Sequence, residues 1–500
     1  MKKFFTFVFV CSLSLIFGGF FAMAETENVG RGEISPELSA EEVVARMGPG
    51  WNLGNTFDAT ARGENFGAGA RFDSNIHYIP DIETIWLSGR GNVTSYTLIK
   101  KVKAAGFDTL RIPVTWSKVA DPSNNWQIRA DWLERVQEVV EWALAEDMHV
   151  ILNMHHEEEH LGMDIENAYE SDHPGNVFVT AIWRQVAEYF NSYGDRLLFA
   201  TLNEPRNKGG EHEWSGGTQT VRDNVNYLNQ AALDVIRGTG GNNRYRIVLV
   251  PTTAASSHAN AMRDFVVPTD PENSVNKLVW AIHTYSPFGW AHDGNGDYQG
   301  EHLIRQDLQN VKTNADRLGL PVILSEWGSM LTSRSGSGQS IRNRNRLQHA
   351  EDFARIATEL GMVTAWWDNN SFTMGADQNF GLIPRALPHD IPNQSQEIIN
   401  RMMLGYGREE FIVEIEEVEP TPTPTASISV PSPNTTAGRP PSDVEVDPLV
   451  QDTENNDTTP EAPEPAERGT VEPWIWGTLF GVGVAVGVAI LGIVKAKKRK

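Results

Sequence analysis

Two glutamates sit where chemistry is easiest to place: Glu204 in Leu202-Asn-Glu-Pro205 and Glu326 in Leu324-Ser-Glu-Trp-Gly328. Each closes a short apolar run, so each is expected at the end of a buried strand. A lone glutamate in such a place is ordinarily a solvated loop charge. Two of them, flanked by Asn203 and Trp327, suit a reaction that needs one proton donor and one further carboxylate. Cleavage of a glycosidic bond through an oxocarbenium-like centre is such a reaction. Acyl transfer fits less well, because no G-x-S-x-G elbow is present. Thiol chemistry fits worse, because the only cysteine is Cys11, inside an N-terminal apolar run.

Groups on separate segments need a common frame. Short apolar or β-branched runs recur at Gly50–Gly54, Thr109–Thr115, His149–Met154, Leu197–Leu202, Arg246–Pro251, Leu278–Thr284, Pro321–Ser325 and Val363–Trp367. Their near-continuous hydrophobicity suits parallel strands covered on the outside by helices. Helical periodicity follows most of them, at Asp131–Asp147 (Asp131 as N-cap), Val177–Tyr193, Asn224–Arg237, Glu301–Leu318, Ile341–Leu360 and Ser395–Leu404. Gly194, Gly238, Gly319 and Gly361 stand where C-caps would. Eight strands alternating with helices allow a closed barrel or an open doubly wound sheet. No Gly-rich phosphate loop opens a helix, which favours the (β/α)8 TIM barrel, over residues 41–408. In such a barrel the functional side chains lie at the C-terminal strand ends. Seven of the eight expected ends carry candidates: Asn52, Arg111, His155 with His156, Asn203 with Glu204, His283 with Tyr285, Glu326 and Trp367.

Both ends of the chain read as membrane-related. Lys2 and Lys3, the apolar stretch Phe4 to Phe21 and Ala22-Met-Ala24 predict a signal peptide over 1–24, followed by a lead over 25–40. From 409 to 473 Pro, Thr, Ser, Glu and Asp dominate without hydrophobic periodicity, the composition of a disordered stalk. Trp474 to Val494 is uncharged and long enough for one transmembrane helix, and the basic tail 495–500 would stay cytoplasmic. No LPxTG motif precedes that span. The expected place is therefore extracytoplasmic, anchored in the cell membrane with the barrel outside. Much of the net charge of −23 falls in the stalk, and no basic patch suggests nucleic acid. A monomer is expected.

Taken in order, Gly50-Trp-Asn-Leu-Gly-Asn-Thr56, Arg111-Ile-Pro-Val114, Ile151-Leu-Asn-Met-His-His156, Asn203-Glu-Pro205, His283-Thr-Tyr285 and Ser325-Glu-Trp-Gly328 resemble glycoside hydrolase family 5, its bacterial endo-β-1,4-glucanases in particular. The resemblance implies a retaining cleavage of β-glucan polysaccharide with no cofactor. It makes Glu204 the acid/base, its pKa raised by burial and the neighbouring anion, and Glu326 the nucleophile. Asn203 would bind the sugar 2-hydroxyl, while Arg111 and Tyr285 would hold the nucleophile. His155 and His283 would line the cleavage subsite, and Asn52 and His156 would contact substrate. Trp367 would lie beneath the sugar, with Trp366 pointing the other way; the sequence alone leaves open which of the two faces the cleft. Xyloglucanase, mannanase and licheninase share these carboxylates, and a non-catalytic carbohydrate-binding barrel is the reading from another class.

Three histidines near strand ends also raise a metal reading. Adjacent His155 and His156 on a strand would point to opposite faces, which argues against a shared ion. Of the 15 tryptophans, Trp86, Trp126, Trp214 and Trp290 fall in expected loops. Trp214 and Trp290 are the favoured sugar-stacking platforms.

Overall fold

The computed structural model describes residues 29–60, 79–87, 90–271, 273–332, 337–372 and 378–414. The expected signal peptide, most of the stalk, the span at 474–494 and the tail lie outside them. Among the described residues no helix is long and apolar enough to cross a membrane.

Eight parallel strands close into a barrel: β1 (Gly50–Leu53), β2 (Thr109–Ile112), β3 (His149–Asn153), β4 (Leu197–Ala200), β5 (Val248–Ser256), β6 (Leu278–His283), β7 (Val322–Trp327) and β8 (Val363–Asp368). Each pairs with its sequence neighbours, and β8 pairs with β1, Asn52 facing Trp367. Alternation along each strand sorts the side chains. Val150, Leu152, Leu197, Phe199, Val248 and Trp280 join the outer core beneath the helices. Ile151, Leu198, Leu249, Val279 and Ile323 turn into the barrel.

The barrel floor is filled by a helix the sequence reading did not single out, α1 (Ala40–Arg46). Ser39 and Glu42 form a reciprocal capping box at its start. Its buried face, Ala40, Val43 and Val44, packs on the inward strand residues. Seven longer helices cover the outside: α2 (Tyr96–Ala104), α3 (Ala130–Ala145), α4 (Pro174–Tyr189), α5 (Gln219–Gly238), α6 (Glu301–Leu318), α7 (Ser337–Glu359) and α8 (Asn393–Gly405). Only the crossover after β5 is reduced to one short turn, Ala259–Arg263. α2 was missed because just Leu98, Ile99 and Val102 form its buried stripe.

Some boundaries differ from expectation. The N-cap of α3 is Arg129, without a side-chain cap bond, so Asp131 lies in the first turn and pairs with Arg129. Gly319 does end α6 in the left-handed conformation at φ 68°. Gly194 lies beyond the C-cap Phe190, and Gly238 is still helical.

One irregularity matters for the site. On β7 the step from Leu324 to Glu326 spans two residues against one on β6, Ile282 to His283. From Leu324 to Trp327 it spans three against two on β8. The extra residue is a β-bulge, which re-aims the side chains after it. Glu326 consequently turns into the barrel mouth, while Trp327 turns outward and stacks on Phe353 at 4.1 Å.

Candidate active site

Arg111 is the hinge of the mouth, 1 % exposed. Its Nη1 donates to Glu326 Oε1 at 2.8 Å and to Asn52 Oδ1 at 2.7 Å, and its Nη2 donates to Asn203 Oδ1. Tyr285 OH donates to the other oxygen of Glu326 at 3.1 Å. Burial first, then the Glu326 and Glu204 charges, push the Tyr285 phenol well above its ordinary value, so it stays a donor. Two donors from different strands therefore hold the Glu326 carboxylate in one orientation, against a fixed guanidinium.

Glu204 stands opposite. His283 Nδ1 lies 2.8 Å from Glu204 Oε1 and 3.5 Å from Glu326 Oε2. One oxygen of each glutamate and a ring nitrogen of His283 all fall within 4.8 Å of one another. Burial would raise the Glu204 carboxyl, but the His283 hydrogen bond and charge, then Arg206, outweigh it and hold it below the ordinary glutamate value. This differs from the raised value expected of a resting acid. The cause is local: the sequence did not reveal that His283 and Arg206 both face this carboxylate.

His155 and His156 lie past the end of β3, where strand alternation no longer applies. Their rings meet edge-on at 4.4 Å, and both Nε2 atoms are 3.9 Å from Asp58 Oδ2. The argument that they must face opposite ways is thus corrected. They form a candidate metal cluster with Asp58, yet the hydrogen-bond pattern works against one. Asn153 takes the Val114 N–H on its oxygen, so its amide nitrogen faces His155 Nδ1 at 3.0 Å. The Asn203 amide nitrogen faces His155 Nε2 at 3.4 Å, so amide N–H groups point at both ring nitrogens of His155, where a metal-ligating histidine would turn a free lone pair to the ion. At Glu204, His283 and Glu326 the ring nitrogen that faces the carboxylates is Nδ1, and it is taken up by its hydrogen bond to Glu204 Oε1.

Trp367 turns into the mouth, its ring parallel to His155 at 5.6 Å, whereas Trp366 is buried in the outer core against Trp327. The expectation that Asn52 contacts substrate is corrected. Asn52 is fully buried, accepts from Arg111 and donates to the carbonyls of Ser325, Ala365 and Trp366. It braces Arg111 from below. His156 remains at the edge, its ring 5.5 Å from that of Trp86. Trp290 is also corrected: it is 4 % exposed, sandwiched by Arg342, Tyr298 and His349, and serves as core. Trp126 is spent on packing against Phe178 and His160. Trp214 is 58 % exposed, with the Arg206 guanidinium 4.2 Å from its ring.

Sequence reading missed Asp58, Glu157, Glu158 and Arg206 altogether. Glu157 is buried and accepts the Trp116 and Ser117 N–H groups. Burial pushes its carboxyl up to about 7. The folded state then keeps a proton that the unfolded chain releases near 4.5, so this group stabilises the fold at low pH and its contribution is lost as pH rises toward about 7. Glu157→Gln is expected to flatten the fall in stability over that window, where one proton is worth up to about 1.4 kcal/mol per pH unit. Melting temperatures of both proteins across the window test this; parallel curves would disprove it.

The chain is similar to known proteins in both sequence and fold. Residues 65–373, well over half of the chain, match the family model described as Cellulase (glycosyl hydrolase family 5). Endoglucanase A of Clostridium longisporum is 37% identical over 356 residues, 70% of this chain; the chain spans only 63% of that relative's length. Among solved structures, a GH5-4 broad specificity endoglucanase from Ruminococcus champanellensis with bound cellotriose is 34% identical, with a TM-score of 0.64, covering 73% of this chain and 99% of that one. A GH5 xyloglucan-specific endo-beta-1,4-glucanase from a metagenomic library, in complex with cellotriose, is 30% identical at a TM-score of 0.61, covering 72% and 98%. The chain belongs to glycosyl hydrolase family 5 and is a glycoside hydrolase.

Proposed function

We propose that the barrel is a retaining endo-β-1,4-glucanase, with Glu326 as nucleophile and Glu204 as acid/base. The observation that carries this reading is the closeness of the two carboxylates, an oxygen of each within 4.8 Å. Retaining enzymes hold them about 5–5.5 Å apart, whereas inverting ones leave about 6.5–9.5 Å for a water. In the first step Glu326 attacks the anomeric carbon as the glycosidic C–O bond breaks, and Glu204 gives its proton to the departing oxygen. In the second, water attacks the glycosyl ester, Glu204 takes the water proton, and Glu326 leaves as carboxylate. Glu204 starts with a lowered pKa, so a bound glycan has to displace water and raise it before the proton can be delivered. Esterification of Glu326 then removes an anion facing Glu204, which favours the base form.

Asn203, placed by Arg111, would meet the sugar 2-hydroxyl, Trp367 and His155 would line the cleavage subsite, and Trp214 would offer a further stacking face. The named activities of the relatives support a β-1,4-glucan substrate and keep xyloglucan open. A panel of carboxymethyl-cellulose, xyloglucan, mannan and mixed-linkage glucan tests the preference, with a β-1,4-glucan backbone expected to be cut. Proton NMR of the first product should show the β-anomer; an α-anomer would end the double-displacement reading.

The barrel is further proposed to act outside the cell as a monomer, held by the apolar span at 474–494. Activity should then stay with the membrane fraction and be released when 474–500 are deleted. Activity in the soluble fraction of the intact protein would refute the anchor.

A further inference from the structure

Arg206 follows Pro205 directly, and its side chain folds back over the acid/base. Its Nη1 donates to the Glu204 carbonyl at 2.9 Å and to Glu158 Oε1 at 2.7 Å, and lies 3.7 Å from Glu204 Oε2. Its Nε donates to Glu213 Oε1 at 3.0 Å, while Glu213 Oε2 accepts the Gly209 N–H and so closes the loop after β4. The guanidinium carbon lies over the ring of exposed Trp214, 4.2 Å from its centroid. One nearly buried cation thus touches the main chain of the acid/base, approaches its carboxylate without hydrogen-bonding to it, and holds the aromatic ring beside it.

We propose that Arg206 is the positioning residue for proton delivery: it fixes the Glu204 main chain and the Trp214 ring as one unit, so that the proton and the departing sugar chain are brought together. This rests on the assignment of Glu204 as acid/base. The distance supports it. At 3.7 Å the charge favours the carboxylate while leaving Oε2 without a direct hydrogen bond from the guanidinium and open to the glycosidic oxygen; Oε1 is held by His283. Arg111, by contrast, donates directly to Glu326 at 2.8 Å, and that carboxyl's role needs no proton. The groups facing Glu204 are Arg206 and Glu158 from the loops after β4 and β3, His283 and Tyr285 at the end of β6, and Glu326 on β7. Those facing Arg206 are Glu158, Glu204 and Glu213. His156 and Asp58 lie behind Glu158.

The test compares kcat/KM against pH for two substrates, cellotetraose and 2,4-dinitrophenyl β-cellobioside, whose phenolate leaves without a proton. Both values report only the glycosylation step. Arg206→Gln is expected to lose about tenfold or more on cellotetraose, a part of what general acid catalysis supplies, and about threefold or less on the aryl substrate. Removing the cation favours the protonated acid, so the basic limb of the profile should move up by about one unit. Arg206→Lys should return much of the limb, since it restores the charge, but not the cellotetraose KM, since it loses the fork and the planar group over the Trp214 ring. Equal losses on both substrates, or an unmoved limb in both variants, would overturn the inference. Glu204→Ala serves as the control. If it spares the aryl substrate while Arg206→Gln does not, only the role of Arg206 fails. If Glu204→Ala slows both substrates alike, the acid/base assignment fails and takes this inference with it.

Discussion

Glu326→Gly is expected to slow β-glucan hydrolysis by at least about 10⁴-fold, the scale on which covalent-catalysis enzymes respond to loss of the nucleophile. The geometry says why so small a change should cost so much. Glu326 reaches the mouth only because of the bulge on β7, and among the described residues no other carboxylate shares its hydrogen bonds from Arg111 and Tyr285. Glycine there removes the attacking oxygen and leaves a gap lined by two donors. A small anion such as azide or formate can fill that gap and be held by Arg111. It attacks the anomeric carbon from the side Glu326 vacated, as Glu204 protonates the leaving oxygen. Added azide should therefore restore part of the turnover and yield a glycosyl azide of inverted configuration, read by NMR. Since Arg111 loses its counter-charge, the variant is also expected to be less stable, and its circular dichroism must match the parent before rates are compared. Hydrolysis at the parental rate, or a product of retained configuration, would remove Glu326 from its role.

Much of this site was legible in the sequence, for a physical reason. Barrel strands are buried on both faces, so a polar residue at a strand end breaks an apolar run and can be seen locally. Glu204, Glu326, Arg111, Asn203, His283 and Tyr285 all announced themselves so, and the structure gathers them at one mouth. What stayed hidden depends on register and on partners far along the chain. The bulge that re-aims Glu326 is a property of β7 against two neighbours, not of Ser325-Glu326 itself. Asn52 looked like a substrate contact because it ends a strand, but Arg111 covers it. Trp290 looked like an exposed platform because it falls between elements, yet Arg342 and His349 arrive from α7, some fifty residues on, to bury it. Arg206 and Glu158 pair across 48 residues, a distance no local pattern encodes.

Asp368 is the sharpest case, and it carries the second large expectation. It follows Trp367 and is fully buried with Arg385. One of its oxygens accepts from the Trp51 indole and the Leu382 and Ile383 N–H groups; the other accepts from Asn370 N–H and Arg385 Nη1, every contact at 2.9 Å. Arg385 in turn donates to the carbonyls of Gly54, Ile383 and Asp368 and stacks on Trp51 at 4.5 Å. A single carboxylate therefore ties the loop after β8 to the end of β1, directly behind the ring that faces the cleft. Asp368→Ala strips these donors at once and strands a buried guanidinium, so a loss of about 3–5 kcal/mol is expected in urea unfolding. Arg385→Met, made on top of Asp368→Ala, should cost far less than the same change in the parent, because the stranded charge is then gone. Fully additive losses would mean that the pair is not coupled. Catalysis gives an independent check. Where folded Asp368→Ala can be assayed, the freed Trp367 should raise KM more than it lowers kcat, because this latch backs the ring proposed to meet the sugar and touches neither glutamate.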